Sequence, residues 1–260
     1  VSSPELQALV AARSRVGLVA FLIALAAFAW WSTVRAMSGM GASPSVDLGA
    51  LGWFIGIWIV MMAAMMLPAV SPTVGLYARM TGQRNLLRPV AFTSSYLAVW
   101  GAVGVTAYGL YEVAHHAVGA QLAWDAGGRW LAGSVLAVAA VYELTPLKDV
   151  CLRKCRSPLG FLMGTWRDGV RGAFVMGSKH AAWCFGCCWA LMAALFALGV
   201  MNILWMAVVA ALITIEKVVP WRRPAVWSTS LILLALALGV LAAPGSIPGF
   251  VIPGGGVTGM

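Results

Sequence analysis

Three observations in the sequence predict an all-α, polytopic transmembrane bundle. Of the 260 residues, 62% are apolar and 10% are charged, and the mean hydropathy is +0.90, far outside the composition of soluble domains. The apolar residues fall into long runs. The bases fall into short groups between those runs. With 17 basic and 8 acidic residues the chain has too little charge to cover a soluble core, which excludes a cytosolic enzyme, a secreted disulfide scaffold and a disordered tail. The formal charge of +9 does not indicate nucleic acid, because no basic face or nucleic-acid motif accompanies it.

Lipid cannot satisfy an exposed backbone amide, so a spanning helix needs about 20 mostly apolar residues. Seven runs qualify: Val16 to Ala36, Leu51 to Val70, Pro89 to His115, Trp130 to Leu147, Ala173 to Gly199, Asn202 to Val219 and Val226 to Ala243. The first reads as a retained anchor rather than a cleaved signal, because it is longer than a signal core and lacks a small-x-small cleavage site. Pro44 to Ala50 reads as a loop. In the second run Gly52 and Gly56 form a small-xxx-small wedge for a close helix approach, while Pro68 and Pro72 are expected to kink or end it and free carbonyls toward a cavity. Residues 244–260, rich in Gly and Pro and uncharged, read as an extended tail on a single domain covering residues 1–260.

Orientation follows from the bases, which are retained on the cytoplasmic side. One set of connections carries Arg13 and Arg15, then Arg79, Arg84 and Arg88, then Lys148 through Lys179, then Lys217, Arg222 and Arg223; the other carries Arg35 and Arg129. This predicts an N-terminus inside and, with seven spans, a C-terminus outside.

The fifth span holds the densest chemistry: Met176, His180, Cys184, Cys187 and Cys188. At about 100° per residue, Met176, His180, Cys184 and Cys187 share one narrow stripe, with Cys188 beside it. Thiolate and imidazole are preferred ligands of Cu(I) and Zn(II). The alternative is that the cysteines are small buried hydrophobes. In an apolar helix the C-x-x-C of Cys184 and Cys187 carries little weight as a redox motif, and free thiols are expected. Cys151 and Cys155, four apart in a basic stretch, read either as a metal-handling pair or as an idle surface pair. In the second span Met61, Met62, Met65 and Met66 form overlapping i, i+4 thioether pairs, which suit Cu(I) and not Zn(II), or else are ordinary filler.

Ionisable residues inside spans are costly and are functional candidates by default. Glu143 lies deep in the fourth span, whereas Glu216, with Lys217 beside it, is expected at the membrane interface. His115 and His116, near Glu112, are expected at a solvated end of the third span, and Met37 and Met40 offer a first contact for an incoming ion.

Met61 to Pro68 (Met-Met-Ala-Ala-Met-Met-Leu-Pro), Tyr142 to Lys148 (Tyr-Glu-Leu-Thr-Pro-Leu-Lys) with Cys151 and Cys155, His180 through Cys187-Cys188-Trp189, and Gly199 to Asn202 (Gly-Val-Met-Asn) together resemble an uncharacterised bacterial family of predicted metal-binding integral membrane proteins, sometimes labelled copper chaperone. The likeness covers about residues 51–220. It implies metal binding and a multi-pass location in the bacterial inner membrane.

The leading expectation is a Cu(I)-binding membrane protein acting in copper acquisition, transfer or transport, with zinc as the alternative metal. Its candidate ligands are His180, Cys184, Cys187, Cys188, Met176, Met61, Met62, Met65, Met66, Cys151, Cys155 and Glu143. The expected partners are the bilayer, a copper donor or acceptor protein and a larger membrane complex, with no nucleic acid. A second expectation is a non-catalytic accessory subunit packing on a larger, copper-dependent membrane enzyme. A third is an intramembrane thiol oxidoreductase using Cys184 and Cys187. No hydrolase triad, Walker loop or dinucleotide fingerprint is present in the sequence.

Overall fold

The computed structural model describes residues 17, 20–35, 51–81, 86–118, 127–198 and 202–243. Among these residues the chain is all helix: α1 (Ala20–Arg35), α2 (Leu51–Met80), α3 (Leu87–Val118), α4 (Arg129–Glu143), α5 (Pro146–Arg156), α6 (Pro158–Thr165), α7 (Gly169–Leu198), α8 (Ile203–Val218) and α9 (Arg222–Ala242). Four of these helices, α2, α3 over Leu87–Ala114, α7 and α9, are long and apolar enough to cross a membrane. The bent α4 and α5 pair makes a fifth if counted as one span. The seven expected spans are therefore not all matched. α8, at 16 residues, and the described part of α1 fall short of the length a bilayer core needs. The Pro44 to Ala50 loop, Met37, Met40 and the tail lie outside the described residues.

The fourth expected span breaks at Leu144 and Thr145, where α4 and α5 meet at 66°. Pro146 is the cause: it cannot donate to a preceding turn and it drives the residue before it out of the helical region. Thr145 is extended, at φ −76° and ψ 148°, and caps α5, its hydroxyl oxygen accepting from Lys148 N. The same hydroxyl donates to Tyr142 O at 2.7 Å. α2 shows the opposite outcome. It runs through Pro68 and Pro72 to Met80, so the prolines do not end it. Pro72 has no N–H for the Pro68 carbonyl, and the Ser71 hydroxyl donates to that carbonyl instead, at 2.9 Å.

α7 is the hub, packed by α3, α4, α5, α6 and α8, while α9 lies along α4 and α2 lies against α3, α6 and α8. α3 crosses α7 closely at Gly177, where a Cβ would stand 2.2 Å from Phe92 O. Gly104 likewise admits the Trp58 ring, whose Nε1 donates to Trp100 O at 2.8 Å. The expected wedge at Gly52 and Gly56 makes no such crossing. A Cβ at either would meet nothing within 4 Å, and both glycines line a cleft of about 280 Å³ shared with Ser32 and Thr33 of α1. Large apolar side chains such as Phe21, Phe28, Val138, Val141, Leu231 and Leu238 face outward, as a lipid solvent allows.

Candidate metal centre

Cys184, Cys187 and Cys188 stand at i, i+3 and i+4 on α7, so their side chains share one face. Their Sγ atoms all lie within 4.8 Å of one another. Cys187 Sγ is 3.4 Å from Cys188 Sγ and 3.7 Å from Cys155 Sγ of α5. Three sulfurs around an ion at about 2.3 Å would be spaced about 4 Å apart in a plane, which small side-chain rotations reach from these separations. All five cysteines are buried and free.

Two donors from other helices converge on Cys184. Its Sγ lies 3.0 Å from the Tyr96 hydroxyl of α3 and accepts from Lys217 Nζ of α8, also at 3.0 Å. An ammonium and a phenol around one sulfur are the partners that offset the charge of a buried thiolate. Four helices, α3, α5, α7 and α8, thus meet at this group.

The second cysteine pair is not at the surface. Helix α5 turns Lys148, Cys151, Leu152 and Cys155 inward, and the exposure of Cys151 and Cys155 is 6% and 8%. Cys155 joins the α7 sulfurs. Cys151 instead presses on the α7 backbone, where a Cβ at Gly186 would stand 2.7 Å from its Sγ. The Tyr142 hydroxyl reaches the same residue, donating to Gly186 O at 2.5 Å.

His180 stands outside the close sulfur group. Its ring is enclosed by Phe92, Tyr96 and Phe161, the last at 4.8 Å edge to face. It is 3% exposed, and its Nδ1 has no hydrogen-bond partner among the described residues. Met176 is fully buried on the same helix. Met61, Met62, Met65 and Met66 are all buried in the apolar core, so none is lipid-facing filler. Helix α2 brings Trp58 onto Phe196 of α7, ring centroids 5.7 Å apart, but otherwise packs on α3, α6 and α8.

The acids are placed differently from expectation. Glu216, expected at a membrane interface, is buried instead of solvated: it is 2% exposed and faces Lys148. Lys148, expected among the surface bases, is 1% exposed and lies between Glu216 and Glu143. Glu143 therefore belongs to a carboxylate and ammonium cluster, apart from the sulfur group. Lys217, also expected at the surface, points to Cys184. His116 is exposed and 3.5 Å from Glu112; the side chain of His115 is outside the described set.

Sequence reasoning missed Tyr96, Lys217 and Tyr142. The signals were present: a tyrosine ending the polar run Thr93 to Tyr96 inside an apolar helix, and the adjacent Glu216 and Lys217, whose side chains diverge by about 100° and so reach different neighbours.

A family model described as PpoB2, copper chaperone, matches residues 55–240. The chain belongs to this copper chaperone family. The match takes in nearly all of α2 through α9, and so extends past residue 220 into the last helix. It includes every helix that supplies the sulfur group and its two donors. No curated protein and no solved structure matches the chain. In this chain the residues gathered at the centre are three α7 cysteines, one α5 cysteine, a tyrosine and a lysine, a donor set whose soft sulfurs fit a soft ion.

Proposed function

We propose that this protein holds Cu(I) on Cys184, Cys187 and Cys188 and passes it on by sulfur exchange, with Cys155 as the next sulfur in line. The observation that carries the reading is the four buried sulfurs, chained at 3.4 and 3.7 Å, with a lysine ammonium on one of them. Charge does not choose the metal, since with the Lys217 ammonium both Cu(I) on two thiolates and Zn(II) on three sum to zero; the buried thioethers of α2 and α7, donors that suit Cu(I), favour copper. Each thiol that takes the ion gives up its proton as its S–Cu bond forms.

Exchange between neighbouring sulfurs needs several weak sites in series rather than one tight cage. His180 and Met176, one and two turns before Cys184 on α7, and the buried Met61, Met62, Met65 and Met66 of α2 are the proposed further carriers, since imidazole and thioether bind Cu(I). Cys151, set against Gly186, supports the packing of α5 on α7. We place the chain in a bacterial inner membrane as a multi-pass protein with its N-terminus inside, exchanging copper with a donor or acceptor protein.

Anaerobic Cu(I) titration of the purified protein tests the assignment. The wild type is expected to bind Cu(I) against a competing chelator, and Cys184→Ala combined with Cys187→Ala is expected to lose that binding. Equal copper content in the two proteins would remove the assignment.

A further inference from the structure

The sulfur centre leaves one buried polar cluster unused. At the break between α4 and α5, Lys148 Nζ donates to Glu216 Oε2 at 2.7 Å and to Glu143 Oε2. The three side chains come from α5, α8 and α4, and they are 1%, 3% and 0% exposed respectively. In both carboxylates the second oxygen, Oε1, is buried with no hydrogen-bond partner among the described residues.

One ammonium between two carboxylates leaves one negative charge and two unsatisfied oxygens away from water. Such a group takes up a proton or a cation rather than remain uncompensated. Neighbouring cations are engaged elsewhere. On α5, Arg156 donates to the Glu216 and Val219 main-chain carbonyls. On α8, Lys217 donates to Cys184. Arg153 of α5 and Arg222 of α9 hold Asp149. The other titratable groups from the packed helices are Tyr142 of α4, bonded to Gly186 O, Cys151 of α5, set against Gly186, and His180 of α7, enclosed by aromatic rings. A soft Cu(I) ion does not select carboxylates, and a hard metal cation would have to share its site with the Lys148 ammonium.

We propose that Glu143 and Glu216 form a proton-binding site, holding one proton between them with Lys148 as fixed counter-ion. One O–H bond forms on one carboxylate, the cluster becomes neutral, and the free Oε1 atoms provide both a donor and an acceptor. Glu216 and Lys217 are consecutive in α8, so the residue that completes the proton site is covalently joined to the residue that contacts Cys184. This link, which rests on the Cu(I) reading, ties the seating of the α8 end to both sites.

Infrared spectroscopy of metal-free protein in detergent tests the site. At neutral pH the wild type is expected to show the carbonyl band of a buried carboxylic acid, shifted in D2O. Both Glu143→Gln and Glu216→Gln are expected to lose it, because the single remaining carboxylate then balances Lys148. Absence of the band, its persistence in both variants, or its loss on adding sodium or potassium ions overturns the proposal. The position of that band at saturating Cu(I) tests the link: it is expected to shift in the wild type and to stay in place in Lys217→Met, and a band that Cu(I) does not move in the wild type overturns it. A protein that shows the band and binds no Cu(I) loses the copper reading and keeps the proton site; one that binds Cu(I) without the band loses the proton site alone.

Discussion

Gly177→Ala is expected to disturb the sulfur centre from two turns away along α7. An alanine Cβ there would lie 2.1 Å from Ser95 Oγ, 2.2 Å from Phe92 O and 2.9 Å from Phe92 C. The Ser95 hydroxyl, now donating to Phe92 O at 2.9 Å, can rotate; the Phe92 carbonyl belongs to the α3 backbone and cannot. Restoring an ordinary contact of about 3.5 Å moves α3 away from α7 by about 1.3 Å at this point. One turn further along α3, that shift stretches the 3.0 Å contact between Tyr96 and Cys184 past hydrogen-bonding range. Overpacking costs about 1–3 kcal/mol and the lost hydrogen bond about 1 kcal/mol. The better helix propensity of alanine offsets at most about 1 kcal/mol. The net expectation is a destabilisation of about 1–4 kcal/mol together with weaker Cu(I) binding. Unfolding in detergent reads the first and chelator competition the second. Gly109→Ala, also in α3 but with nothing within 4 Å of its Cβ, is the control. A Gly177→Ala midpoint at or above the wild-type value, with unchanged copper affinity, would refute the argument.

Three further outcomes follow from individual contacts. Lys217→Met removes the ammonium from Cys184 and is expected to weaken Cu(I) binding about tenfold, or about 1.4 kcal/mol; an affinity unchanged or tighter in chelator competition contradicts its counter-charge role. Lys148→Met leaves Glu143 and Glu216 facing each other without their shared partner and is expected to cost about 3–5 kcal/mol of stability, measured as a lower unfolding midpoint. Gly186→Ala meets only the terminal sulfur of Cys151 at 2.7 Å, which can rotate, so its cost is expected near about 1 kcal/mol. Cys151→Ala in the same chain should remove that cost, and a cost that persists would show that Cys151 is not the obstacle.

Helical spacing made the sulfur face of α7 legible in the sequence, since i, i+3 and i+4 positions meet whatever the rest of the fold does. Composition likewise made the membrane class and the all-α architecture legible. The failures have separate causes. Pro146 broke the fourth span because a proline acts on the residue before it, whereas α2 continued past Pro72 with Ser71 placed to satisfy the carbonyl that Pro72 freed. A hydropathy window sees neither local effect. Lys148 and Lys217 were read as surface bases from charge alone. The burial of Lys148 and the inward reach of the half-buried Lys217 depend on acids and a thiol carried by other helices, and no periodicity within one segment reveals that. Cys155 joined the α7 sulfurs and Cys151 did not, although both lie on the inward side of α5, because the backbone of Gly186 occupies the space in front of Cys151. The pairing of Tyr96 with Cys184 is a contact 88 positions apart in the chain, legible only once α3 and α7 are crossed at Gly177.

X-ray absorption at the copper edge of the Cu(I)-loaded full chain tests the central claim most directly. The account predicts a first shell of two or three sulfur atoms with no nitrogen or oxygen, losing sulfur in Cys187→Ser. A shell dominated by nitrogen or oxygen, or one unaltered by Cys187→Ser, would contradict it.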